Sequence, residues 1–359
     1  MIGGVVVMAG GTGGHVYPAL AVAEMLRDRG IDVSWLGSRD SFESRVVPEH
    51  GFDIQLIDIK GLRGSGAKRW LMAPLKLANA LMQARAVLRL RRPRLVLGMG
   101  GFVAGPGGLV AKLLGIPLVI HEQNAVPGMT NSWLSRWAVR VFEAFPESFK
   151  SETGAVVCGN PVRGDIVALP DPALRMRGRE GRIRLLVMGG SLGAKALNEC
   201  VPAVISKLDS SKRPVIRHQA GRDKADATRV TYQTLGVEAE VTPFIKDMAE
   251  AYAWADLVIC RAGALTVSEL TAAGIAAILV PYPYAVDDHQ TRNAGYLVNA
   301  DAAKLLPQSV LEKKGLSTEL LKLFDNRELL VEMASRSRAL AMPYATNVVA
   351  DYCEEIVTR

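Results

Sequence analysis

The chain has 359 residues and a formal net charge of +7; 49% of its residues are hydrophobic and 22% are charged. A length of this order fits two domains of about 150–180 residues, and the composition fills complete cores, which excludes the disordered and fibrous classes. The four cysteines, Cys158, Cys200, Cys260 and Cys353, are far apart and form no C-x-x-C pair. That counts against a disulfide scaffold and a zinc site and points to a reducing cytosol.

From the N-terminus, Met1-Ile2-Gly3-Gly4 enters an apolar strand at Val5, and no signal peptide is expected. The strand Val5–Met8 leads through Gly10-Gly11-Thr12-Gly13-Gly14 into a helix predicted over residues 18–29, with Tyr17 and Pro18 as starting residues and Gly30 as its stop. Residues 31–36, Leu95–Gly98 and residues 117–121 are the next strands. Residues 95–111 form a long uncharged run, but six glycines and Pro106 interrupt it, so no membrane-spanning helix is predicted there. The density of glycine over residues 98–108 fits a surface turn or, as its place after a buried strand favours, close approach by a ligand. His121-Glu122-Gln123-Asn124 ends a strand, at the carboxyl edge where open sheets bind ligands. Gly159-Asn160-Pro161-Val162-Arg163 is rich in residues that stop regular structure and reads as a hinge.

The second half repeats the scheme. Arg184–Met188 is a strand, a glycine loop follows, and a helix begins at about Lys195; Val215–Gln219, Leu257–Cys260 and residues 277–280 are further strands. Arg261-Ala262-Gly263-Ala264-Leu265-Thr266-Val267-Ser268-Glu269 runs from a strand into a helix. The N-terminus of that helix can bind a diphosphate, with Glu269 in reach of a ribose diol; capping by Thr266, Ser268 or Glu269 is the alternative. The alternation gives an α/β fold class: two Rossmann-like, doubly wound parallel-sheet domains facing a cleft. The expected boundaries are 1–161 and 162–342, with a terminal helix in 343–359 that is free to pack on either domain, including back on the first.

All of the excess charge lies in residues 1–163, which hold 19 Lys and Arg against 12 Asp and Glu; residues 164–359 hold 24 of each. No acidic residue occurs between Asp58 and Glu122, whereas Lys60, Arg63, Lys68, Arg69, Lys76, Arg85, Arg89, Arg91, Arg92, Arg94 and Lys112 do, beside Trp70, Leu71, Met72, Leu75, Leu77, Leu81 and Met82. Basic and apolar residues together point to an anionic membrane surface; a solvated basic helix face is the plainer reading. Nucleic acid is not expected, because only Trp70 and Phe102 are available there for stacking.

Neither glycine loop is a dinucleotide fingerprint. Counting G-x-G-x-x-G from Gly11 puts Val16 where the third glycine belongs, and Leu36-Gly37-Ser38 offers no acidic residue for a ribose. No G-x-x-x-x-G-K-[ST] occurs, and no Asp-x-Asp, so neither a P-loop nor a metal-clamping carboxylate pair is present. No cofactor and no catalytic metal are expected.

In order and spacing, Gly10-Gly11-Thr12-Gly13-Gly14-His15, the loop over residues 100–108, His121-Glu122-Gln123-Asn124, Gly159-Asn160-Pro161-Val162-Arg163, Gly189-Gly190-Ser191 and the run from Ala264 to Glu269 closely resemble the peptidoglycan N-acetylglucosaminyltransferases that make lipid II. The resemblance implies the two-domain GT-B fold and transfer of GlcNAc from UDP-GlcNAc to the C4 hydroxyl of the muramoyl sugar of lipid I, with inversion. It also implies a peripheral protein on the cytoplasmic face of the inner membrane. By the same resemblance Ser191, Arg163 and Ala264, Leu265, Thr266, Val267, Ser268 and Glu269 hold UDP, Glu269 on the ribose. Ile245 reads the uracil edge through its backbone, Gln290 contacts a sugar hydroxyl, and Thr12, Gly13, Gly14 and Asn124 approach the donor sugar and the acceptor diphosphate. One-step inversion needs a base at the C4 hydroxyl. His15 is the first candidate, with a loop-shaping hydrogen bond as its alternative role; Glu122 is the second, with a structural one. Leu192 stands where the family usually has Gln, and Ala276 where Pro is common. The rival enzyme reading is a UDP-GlcNAc 2-epimerase of the same architecture, and a non-catalytic UDP-sugar or lipid-binding module is the rival from outside enzymes.

Overall fold

The computed structural model describes residues 3–59, 73–190, 193–311 and 315–359. The expectations placed on Lys60, Arg63, Lys68, Arg69, Trp70, Leu71, Met72, Ser191 and Leu192 lie outside the described residues. The chain forms two compact units, one of Met1–Val162 with Pro343–Arg359 and one of Arg163–Met342.

The first unit is built on a seven-stranded parallel sheet: β1 (Val5–Met8), β2 (Val33–Ser38), β3 (Asp53–Ile57), β4 (Leu95–Gly98), β5 (Leu118–Glu122), β6 (Arg140–Glu143) and β7 (Val156–Val157), in the order β3-β2-β1-β4-β5-β6-β7. Strands covered on both faces must be apolar on both, and the alternation is direct. Val5 and Val7 enter one core with Val16, Leu20 and Val349, whereas Val6 and Met8 enter the opposite core with Ala84, Leu88 and Val110. The winding reverses between β1 and β4, so the loops that leave these two strands meet. Met99 N–H donates to the Met8 carbonyl at 2.8 Å, and a Cβ on Gly101 would overlap the backbone of Gly10.

Two sequence expectations are corrected here. The first helix is Gly13–Asp28, not 18–29, and Pro18 lies inside it. Glycine and proline argue against helix over these positions, but burial of Val16, Ala19 and Leu20 holds the turn in place. The glycine-dense segment is a loop only in part, since Ala104–Leu113 is a helix. There Gly107 and Gly108 let the helix approach Met8 and Leu134, while Gly100 and Gly101, at φ +96 and +87, remain for the loop itself.

The second unit has a six-stranded parallel sheet: β8 (Arg184–Met188), β9 (Val215–Gln219), β10 (Glu240–Thr242), β11 (Leu257–Cys260), β12 (Ala276–Leu279) and β13 (Ala303–Leu305), in the order β10-β9-β8-β11-β12-β13. Its reversal falls between β8 and β11, the strands that release the glycine loop and the Arg261-Ala262-Gly263 turn. Gly193, at φ +67, lies so close to the Ala220 carbonyl that any Cβ would overlap it. Both sheets are thus doubly wound, in agreement with the fold class read from the alternation of elements.

The terminal helix Ala345–Thr358 belongs to the first unit. Val349, Ala350, Cys353 and Val357 join the core of Val5 and Val7. Arg29 pairs with Asp351 and Glu354 at 2.7 Å each, and Arg94 donates to the Val357 carbonyl at 2.6 Å.

Candidate active site

In the first unit, Thr12 is the N-cap of Gly13–Asp28, and its carbonyl accepts the N–H groups of His15 and Val16 at 3.1 and 3.2 Å. The helix has no side-chain cap and no acidic residue in its first turn, so the N–H groups of Gly13 and Gly14 are left to face an anion. His15, half-buried on that turn, places Nδ1 2.8 Å from Gln123 Oε1, 108 residues away in the chain. Gln123 Nε2 lies 3.1 Å from His121 Nδ1, and His121 Nε2 lies 2.9 Å from the Gly159 carbonyl oxygen. A Cβ on Gly100 would stand 2.7 Å from His15 Nδ1. Glycine at 100 is what lets the second loop lie against the imidazole.

A carboxylate that sequence reasoning passed over supports the first loop from below. Glu43 is fully buried; its Oε2 accepts from Gly11 N–H at 3.0 Å, and its Oε1 from Ser38 N–H at 3.0 Å and the Ser38 hydroxyl at 2.6 Å. Burial pushes its pKa up, but the Ser38 hydroxyl and the two N–H groups outweigh burial and hold it below the usual 4.5. A carboxyl with a depressed folded pKa stabilises above its unfolded pKa, and that contribution is lost as pH falls through the folded value. Glu43→Gln is therefore expected to lower the unfolding free energy at neutral pH by about 1.5–3 kcal/mol and to flatten the acid limb below about pH 4.5. Urea unfolding across that range checks this; an acid limb equal to wild type would assign the limb to other carboxyls.

Glu122 does not fit the role of a base. It is 1% exposed. Its Oε1 accepts from Asn124 N–H and Asn124 Nδ2 at 2.9 and 3.2 Å, and its Oε2 from Gly128 N–H and Asn131 Nδ2 at 3.1 and 2.8 Å. Four donors saturate the carboxylate, so its work is to fold residues 123–131. Asn124 thus directs its backbone N–H and its side-chain amide nitrogen to Glu122, and its backbone carbonyl accepts the Ser148 hydroxyl at 3.0 Å.

In the second unit, Gly263 is the N-cap of the helix Ala264–Ala273, which has no side-chain cap and no acidic residue in its first turn. The capping alternative for Thr266, Ser268 and Glu269 is not adopted, and the N–H groups of Ala264, Leu265 and Thr266 have no partner within the helix. The Val267 side chain is fully buried and its N–H donates to the Gly263 carbonyl at 2.9 Å, which closes the first turn of the helix. Arg163 and Glu269 are brought together at 3.5 Å, their side chains 36% and 12% exposed. Tyr252, absent from the sequence reading, donates its hydroxyl to Glu269 Oε2 at 3.0 Å. Burial pushes the Glu269 carboxyl up, and Arg163 and Tyr252 oppose that shift.

Gln290, on the first turn of His289–Val298, accepts the Tyr282 N–H at 2.8 Å. Asn293 on the same helix donates to the Ala262 carbonyl at 3.2 Å, tying this helix to the turn after β11. Ile245 is half-buried beyond the carboxyl end of β10.

Comparison with known proteins agrees with this geometry. The model of the glycosyltransferase family 28 N-terminal domain matches residues 5–143, and that of the C-terminal domain matches residues 184–349. The chain is 55% identical, over 96% of its own length and 96% of the relative's, to the UDP-N-acetylglucosamine–N-acetylmuramyl-(pentapeptide) pyrophosphoryl-undecaprenol N-acetylglucosamine transferase of Neisseria meningitidis serogroup C. Among solved structures, MurG of Acinetobacter baumannii superposes with a TM-score of 0.84 at 43% identity, covering 98% of this chain and 99% of that one. UDP-GlcNAc 2-epimerase from Neisseria meningitidis superposes at 0.66 with 12% identity over 98% and 99% of the two chains, a likeness of fold alone. With two uncapped helix starts at the switch points of two parallel sheets, and with both family domains matched in order, the chain belongs to glycosyltransferase family 28.

Proposed function

We propose that this chain transfers the N-acetylglucosaminyl group of UDP-GlcNAc to the C4 hydroxyl of the muramoyl sugar of lipid I, with inversion, giving lipid II. The observation that carries this reading is the 55% identity sustained along 96% of the chain to a transferase named for that donor and acceptor. The donor half of the chemistry falls to the second unit. The free N–H groups of Ala264, Leu265 and Thr266, together with Arg163, stabilise the diphosphate charge that grows as the bond to C1 breaks, and Glu269 takes the ribose. Ile245 and Gln290 are assigned to the uracil and to a sugar hydroxyl. The acceptor half falls to the first unit, where Thr12, Gly13, Gly14 and Asn124 border the substrate diphosphate and donor sugar and His15 removes the hydroxyl proton. Product analysis after mixing the protein with UDP-GlcNAc, with and without a soluble lipid I analogue, tests the reading. A β-linked disaccharide only when both are present, unaffected by a chelator, is expected; UDP-ManNAc, or free ManNAc with UDP, formed without acceptor would establish the epimerase instead.

The lipid acceptor requires contact with a membrane. No helix among the described residues is long and apolar enough to cross one, so contact falls to a surface. The helix Ala73–Arg91 buries only Ala80, Ala84 and Leu88 and exposes Leu75, Leu77, Met82 and Leu90. Leu75, Met82 and Leu90 share a face opposite the buried stripe, and exposed Arg85 and Arg89 flank it. The arginines are not equivalent, since Arg91 pairs with Asp53 and Arg94 with the Val357 carbonyl. Replacing Lys76, Arg85 and Arg89 by Glu is expected to lower partitioning onto anionic vesicles at least tenfold, at about 1 kcal/mol per basic residue, with UDP affinity unchanged. Unaltered vesicle sedimentation would move the contact elsewhere.

A further inference from the structure

We propose that His121 and Gln123 are positioning residues that decide which imidazole nitrogen of His15 holds the proton, leaving Nε2 as the lone pair that receives the acceptor hydroxyl proton. The inference rests on the reading of His15 as the base and adds what makes it competent.

The relay is deduced from its far end. His121 is fully buried, and its Nε2 faces the Gly159 carbonyl at 2.9 Å. A carbonyl oxygen can only accept, so Nε2 carries a hydrogen. Burial drives the His121 pKa down to about 4, so the ring holds that one hydrogen near neutrality and Nδ1 is a lone pair. Only a donor can face it, which turns the amide nitrogen of Gln123 toward His121, at 3.1 Å. A second acceptor agrees: the same amide nitrogen lies 3.3 Å from the His121 carbonyl oxygen. The amide oxygen of Gln123 is thereby directed to His15 Nδ1, at 2.8 Å. Facing an atom that only accepts, His15 Nδ1 must carry the hydrogen, and the lone pair of the neutral ring falls on Nε2.

Two features make the arrangement more than incidental. Free imidazole side chains in water favour the opposite tautomer, with the hydrogen on Nε2, so without the relay His15 would present a donor to a substrate hydroxyl that must lose its proton. His15 Nε2 also has no partner among the described residues, whereas both nitrogens of His121 are occupied. Gly100 guards the geometry, since a Cβ there would stand 2.9 Å from His15 Cε1 and 3.4 Å from Gln123 Oε1. The chain thus orients its base with a neutral amide, held by a buried neutral imidazole and a backbone carbonyl.

Nitrogen-15 labelling of the histidines in the full chain tests this, because two-bond nitrogen–proton spectra distinguish the two neutral tautomers; the His15 signals are assigned by their absence from His15→Gln. In the wild-type protein the hydrogen is expected on Nδ1, and a His15 with its hydrogen on Nε2 overturns the proposal without any variant. Gln123→Met keeps the side-chain length and removes both polar ends. It is expected to mix the tautomers and lower kcat by about 10- to 100-fold, with KM for UDP-GlcNAc within about twofold. Gln123→Glu keeps an acceptor oxygen toward His15 and is expected to restore the Nδ1–H tautomer and most of kcat. Loss of kcat in Gln123→Met with the tautomer unchanged would make Gln123 a packing residue and overturn the proposal. Full activity of a His15→Ala variant would instead remove the base assignment itself, with the wild-type spectrum still reporting the relay.

Discussion

Replacing His15 by Ala is expected to lower kcat for disaccharide formation by about 10²- to 10⁴-fold while KM for UDP-GlcNAc stays within about twofold. General-base catalysis contributes about that much, and a group acting on the acceptor hydroxyl in the transition state should leave donor binding nearly untouched. The position of His15 supports the size of the effect. It stands on the first turn of a helix whose N–H groups face outward, beside a second loop that carries glycine at 100 so that the ring can lie there. Among the described residues its single side-chain hydrogen bond is to Gln123, worth about 1 kcal/mol of folding stability, so a loss of this size in kcat cannot come from unfolding. Steady-state kinetics with a soluble lipid I analogue, alongside thermal unfolding, make the measurement. With Glu122 saturated by four donors, undiminished kcat in this variant would move the base to a group outside the two candidates named from sequence.

Glu269→Ala is expected to raise KM for UDP-GlcNAc by about 10- to 100-fold, the weight of hydrogen bonds to a charged group, with a smaller effect on kcat at saturating donor. The carboxylate is held in place by Arg163 at 3.5 Å and Tyr252 at 3.0 Å, so little ordering remains to be done when a ribose diol arrives. Loss of the carboxylate leaves Arg163 unpaired, but its side chain is 36% exposed and water can solvate it, so folding stability should change little. Tyr252→Phe serves as the graded control, expected to raise KM several-fold by loosening the carboxylate without removing it. Titration of UDP by calorimetry separates the ribose contact from the rest of the donor; wild-type UDP affinity in the Ala variant would remove Glu269 from the ribose.

The parts of this molecule legible from sequence are those where local pattern and tertiary environment agree. Val5–Met8, Leu95–Gly98, Arg184–Met188 and Leu257–Cys260 are readable to the residue, because strands buried on both faces are short apolar runs with turn residues at each end. β6, β7, β10 and β13 carry weaker runs and emerge only from pairing with their neighbours. Pro18 misled, since packing of the helix outweighs a proline's missing N–H. Gly107 and Gly108 look like loop residues and instead serve contact with Met8 and Leu134. In the site, the motif around Glu122 was visible but not which of its residues does what. Glu122 is the more chemical side chain, yet Gln123 is the one that touches His15, a contact between residues 108 positions apart that no local pattern announces. Tyr252 and Glu43 were missed for the same reason, each meeting its partner only through the fold.

The terminal helix has a consequence for biosynthesis. Ribosomes release a chain from its N-terminus, and domains ordinarily complete themselves in that order. Here the order is inverted: the unit begun first still lacks Val349, Ala350, Cys353 and Val357 when Met342 emerges, whereas the unit begun second is already whole. Until residues 345–358 emerge, the nascent first unit carries an open apolar seam beside Val5 and Val7, and the helix that closes it is made only after the whole of the second unit.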